Sequence, residues 1–63
     1  MDEYINKIVN ISVDNDLYFA GKLTNHKPNL YQVTGENNHL VFWENEIIAL
    51  HLDKSTDRLT IFI

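Results

Sequence analysis

Sixty-three residues make one domain, taken here as residues 1–63, with room for only a modest core. There is no cysteine, which excludes disulfides and thiolate metal sites as sources of extra stability. Nine acids against five bases give a formal charge of −4, which argues against general nucleic-acid binding, because phosphate affinity needs clustered cations.

In chain order, Tyr4, Ile5 and Ile8 follow Asp2 at i, i+1 and i+4, a spacing that suits one or two helical turns. A helix this short is unstable alone and must rest on the rest of the fold. Val9, Ile11 and Val13 then alternate with polar residues, which predicts a first strand. Asn15-Asp16 supplies a turn, because both residue types tolerate positive φ. Leu17 to Thr24 reads as a second strand, with Phe19, Gly21 and Leu23 on one face and Tyr18 on the other. Gly21 inside a strand marks a bend or a close backbone approach.

Asn25 to Asn29 reads as a loop around Pro28, and Leu30 to Thr34 as a third strand. Gly35 to Asn38 turns the chain into His39–Trp43, a fourth strand with Leu40 and Phe42 inward and Val41 and Trp43 outward. Glu44-Asn45-Glu46 ends it. Ile47 to Leu52 and Arg58 to Ile63 form the last two strands around a polar turn. Short, evenly spaced strands with polar turns predict an all-β fold. At this size the economical form is a small closed barrel of five to six antiparallel strands, with a short N-terminal helical turn.

The stretch Val9 to Leu23, V-N-I-S-V-D-N-D-L-Y-F-A-G-K-L, resembles the first motif of the Sm-like and Hfq-like family of small β-barrels. Val9, Ile11 and Val13 match its first strand, Asn15 its turn Asn, and Gly21 and Leu23 its Gly-x-Leu; Asp16 stands where the family has Gly. His39 to Leu50 resembles the family's last hairpin. The resemblance implies an SH3-like or Sm-like barrel that assembles into a ring and binds RNA. The family's uridine-reading and cationic residues are largely missing, however. Lys27 stands near the position of its Asp, and Glu44 falls where it carries a base.

Six residues are candidates for a binding surface. Trp43 sits at a strand end beside a polar turn, a combination of aromatic anchor and polar rim common in binding sites. Tyr18 and Tyr31 are expected on the face opposite Phe19 and Leu30. His26, Lys27 and Asn29 occupy the loop around Pro28. Phe62 and Ile63 are expected at an oligomer interface, since alternation turns one of them outward.

No nucleophile motif or paired acid–base constellation is present, His26, His39 and His51 are widely spaced, and neither catalysis nor a metal or other cofactor is expected. No apolar run reaches membrane-span length and the N-terminus lacks a signal-peptide pattern, so a cytoplasmic location is expected. Eight Asn and seven Ile against two Ala and two Gly fit AT-rich coding sequence, as in low-GC bacteria and their phages. The expected function is a homo-oligomeric protein-binding or self-assembling module, of the kind used by phage or mobile-element accessory and inhibitor proteins. An RNA-binding ring is the alternative.

Overall fold

The computed structural model describes residues 1–63 and is all-β apart from two single 3-10 turns, Asp2–Tyr4 and Glu44–Glu46. Six strands follow in order: β1 (Ile8–Val13), β2 (Asp16–Lys27), β3 (Leu30–Thr34), β4 (His39–Trp43), β5 (Ala49–Asp53) and β6 (Arg58–Phe62). They form one sheet in the order β4-β3-β2-β1-β6-β5.

This order overturns the expected closed SH3-like or Sm-like barrel. Closure would require the two end strands, β4 and β5, to pair, and they do not. Nor is the sheet antiparallel throughout, because β6 lies parallel to β1, with Ile11 beside Ile61. The reason lies in the last hairpin. Its second strand docks on β1, and its first strand is thereby carried to the outside of the sheet. The N-terminal helical turn is a single 3-10 turn that buries Tyr4, while Ile8 belongs to β1.

The β1–β2 hairpin closes one residue earlier than expected. Asp14 and Asn15, at φ 54° and 69°, form its two-residue turn and leave Asp16 to start β2. Two consecutive positive φ values suit the twist of a tight hairpin, and Asp and Asn tolerate them. A bulge between Ile11 and Ser12 then changes the facing of β1, so that Ser12 is buried and Val13 half-buried. The Ser12 hydroxyl donates to the Asp16 carbonyl at 2.9 Å, which satisfies it inside the core.

Strand β2 runs through the predicted loop as far as Lys27, so only Pro28 and Asn29 turn the chain. Gly21 lets β2 bend. A Cβ there would lie 2.5 Å from both the carbonyl carbon and oxygen of Thr34 and 2.7 Å from the nitrogen of Gly35, all backbone atoms that cannot step aside. The core holds Tyr4, Val9, Ile11, Leu23, Tyr31, Val33, Phe42, Leu59 and Ile61, with Ile63 packed against it. Tyr31 lies inside with Val33, which reverses the expected facing of β3, and Leu30 lies on the outer side. No helix is long and apolar enough to cross a membrane.

Candidate functional site

The site is built by two turns clasped at one end of the sheet. Pro28 presets its own φ, and Asn29 adopts φ 69° behind it, a pairing that reverses the chain tightly. Across from it, β4 ends at Trp43 and the 3-10 turn Glu44–Glu46 begins. The Glu44 amide donates to the Asn29 carbonyl at 2.7 Å, locking the turns together. The Trp43 amide donates to Glu46 Oε1 at 2.8 Å, so Glu46 reaches back to satisfy the start of its own turn.

Between them lies an open pocket of about 330 Å³ lined by Asn29, Trp43, Glu44 and Asn45. Trp43 is 45% exposed, on the outer face with Val41, as alternation predicted from the inward Phe42. Lys27 shares that face, its ammonium 5.5 Å from the indole centroid. An exposed cation over an indole is worth roughly 0.5–1 kcal/mol, enough to bias the lysine but not to hold it against a competing ligand. His26 falls at the β2 bulge, where its Nε2 hydrogen-bonds the Gln32 amide oxygen. Asn25 holds the bulge from below, its amide donating to the carbonyls of Lys27 at 2.9 Å and Leu30 at 3.0 Å.

Of the candidates, Trp43, Lys27 and Asn29 therefore meet at one end of the sheet, while His26 is held apart on Gln32. Tyr31 approaches from the opposite side. Its ring is buried and stacked on Phe42, and its hydroxyl donates to Glu44 Oε1 at 3.4 Å, tying a pocket acid to the core. Burial pushes the Tyr31 phenol above its ordinary pKa, and the negative charges of Glu44 and Asp2 push it further. Tyr18 stands apart at the other end of β2, exposed and edge-on to Phe19. Phe62 and Ile63 lie beside β1 and are half-buried. The Ile63 amide donates to the Ser12 carbonyl, and the Phe62 carbonyl accepts from Ile48.

Glu44 and Asn45 line the pocket without having been singled out as site residues. Their signal was adjacency to Trp43 at a strand end. A second feature left no trace in the candidate list. Ile48, Leu50 and Leu52, in and beside β5, are 71%, 50% and 38% exposed. No three His, Asp or Glu side chains are grouped so as to hold a metal ion. Chemically, the pocket offers a flat indole, two amides that both donate and accept, and the Glu44 carboxylate. No family model, curated protein or solved structure matches the chain.

Proposed function

We propose that this chain is a non-enzymatic binding module that takes a segment of a protein partner against Trp43. The observation that carries this reading is the pocket, in which an exposed indole is set between the Asn29 and Asn45 amides. Such a site buries an apolar side chain on the indole while the amides pair with the partner's peptide groups, the arrangement found at the centre of many interfaces. Glu44 in the pocket lining and Lys27 near the indole put both signs of charge at the site, where Glu44 favours a partner bearing a base next to its apolar anchor.

An RNA-binding role is the second reading. The neighbourhood of Lys27 favours it, because an aromatic platform beside a cation stacks bases. Glu44, at the pocket itself, repels phosphate and weighs against it.

Trp43 is the chain's only tryptophan, so its emission reports on the site directly. A protein partner purified on the wild-type chain should shift that emission, and Trp43→Ala should lose the partner while keeping its melting temperature and oligomeric state. Saturable, steeply salt-dependent binding of oligo-U or oligo-A by the wild type would replace the protein reading with the RNA one.

A further inference from the structure

Strand β5 is exposed along its whole length, an unusual state for a strand in a domain this small. Its free edge pairs with nothing. Leu50 and Leu52 pair with Ile61 and Leu59 of β6, two core residues, so they point to the inner side of the sheet, yet they remain 50% and 38% exposed. Ile48 extends the row by one step. Of the usual protections of an edge β5 carries only the charge of Asp53 at its end, and it contains no lysine, no proline and no bulge.

The other end strand, β4, does not share this problem. Its inward Phe42 is 1% exposed and Leu40 packs against the core. Pairing through β4 would therefore cover no inner-face apolar surface.

We infer that β5 is the self-association surface of this protein, and that two copies join antiparallel, β5 to β5, about a two-fold axis through His51. The register follows from the sequence. Centred on His51, Leu50 of one copy lies opposite Leu52 of the second, and Asp53 lies opposite Ala49, so no acid faces an acid. A one-residue slip would turn the aliphatic row away from its counterpart. With the axis perpendicular to the sheet, both inner faces lie on the same side. Ile48, Leu50 and Leu52 of the two copies then form one apolar strip continuous with Leu59 and Ile61.

Charge fits the same register. Lys54, just past β5, is brought beside Ile48 of the second copy and toward its Glu46. Its stem covers the isoleucine while its ammonium meets the acid. Exposed pairs of this kind add little affinity, so their part is to select the register in a chain of net charge −4. A five-residue strand and three aliphatic side chains per copy make a small interface, so the dimer should dissociate on dilution.

The absence of native cysteine supplies a direct test. Residues facing one another across an antiparallel pair have Cα atoms about 4.5–5.5 Å apart, within reach of a disulfide. On oxidation His51→Cys should convert to a covalent dimer that reductant reverses. Val41→Cys, also exposed but on β4, should remain monomeric. Sedimentation of the wild type should show a monomer–dimer equilibrium, and Leu50→Lys should abolish it with the circular dichroism spectrum unchanged. Lys54→Glu should weaken the dimer and Glu46→Lys should restore it in the Lys54→Glu background. A wild type that stays monomeric at every concentration, crosslinking through Val41→Cys in preference to His51→Cys, or open-ended assembly beyond a dimer would each overturn the proposal. Because Trp43 lies outside β5, Trp43→Ala should dimerise like wild type, which keeps this test separate from the pocket's.

Discussion

The two ends of the sheet carry strands of the same length and nearly the same pattern. β4 reads His-Leu-Val-Phe-Trp and β5 reads Ala-Leu-His-Leu-Asp. Yet β4 buries its alternate residue Phe42 almost completely, while every residue of β5 is exposed. Both strands turn two large apolar residues inward, Leu40 and Phe42 on β4 and Leu50 and Leu52 on β5. On β4 these lie beside Val33 and Tyr31 and belong to the core or pack against it. β5 is the end strand beyond β6, and its leucines stay outside the core although they pair with Ile61 and Leu59. The comparison teaches that alternation gives a strand its apolar face, whereas the strand's place in the sheet decides whether that face is covered.

Matched truncations on the two strands give the sharpest contrast. Phe42→Ala should cost about 3–5 kcal/mol, the usual range for emptying a buried aromatic site. A domain of this size holds little more than that in total, so the variant should be largely unfolded at room temperature. Leu50→Ala, measured at a dilution where the chain is monomeric, should cost less than about 1 kcal/mol, as for an exposed position. Urea denaturation of both variants checks the pair. Equal losses would mean that the inner face of β5 is covered in solution even in the monomer.

Gly21→Val attacks the close approach of β2 to the end of β3. The added side chain meets backbone at 2.5 Å on Thr34, and the β2–β3 ladder must open to admit it. The loss should reach the upper part of the overpacking range, on the order of 3 kcal/mol. Amide exchange should show the damage first across β2 and β3 and least in the β5–β6 hairpin. Uniform loss of protection, or a wild-type melting temperature, would show that the β2–β3 approach does not depend on glycine.

These tests also mark what could be read from the residues alone. The alternation of Val9 with Ile11 and of Leu59 with Ile61 found two core strands correctly, and the polar-apolar order before Trp43 put the indole outside. The facing of β3 was ambiguous because Leu30, Tyr31 and Val33 are all apolar enough to face inward. Val33 decided it, with Tyr31 two positions away, and the phenol found Glu44 as its polar exit. The β1–β2 turn slipped by one because Asp14, Asn15 and Asp16 are all competent turn residues. Closure was beyond local reading. Nothing within β6 specifies that it pairs with β1 in parallel, and that single pairing leaves β4 and β5 apart. The pocket was legible only at its anchor, since the contact of Glu44 with Asn29 joins residues fifteen positions apart.

The smallest effect lies in the turn that follows β5, where Asp53 organises the hairpin. Its Oδ1 accepts from the Ser55 hydroxyl at 2.7 Å and from the Ser55 amide at 3.0 Å. These bonds favour the ionised carboxylate, so the pKa of Asp53 is held below the ordinary carboxylate value, with the Ser55 side chain as the main cause. A carboxyl whose pKa is lowered by folding stabilises the fold above its unfolded value of about 4, and that stability disappears as pH falls through the lowered folded value. Asp53→Ala should therefore melt slightly below wild type at pH 7, with the gap narrowing below about pH 4 as the wild-type carboxyl takes up its proton. Removing an acid from a chain of net charge −4 also relieves repulsion, which works in the opposite direction. Asp53→Asn separates the two effects, since it removes the charge but keeps an oxygen acceptor for Ser55. It should fall between wild type and Asp53→Ala at pH 7 and show little of the acid-dependent convergence. A wild-type-to-Asp53→Ala gap that stays constant from pH 7 to pH 2 would mean that the turn is held by its backbone bonds, such as that from the Thr56 amide to the Asp53 carbonyl, and not by the ionised carboxylate.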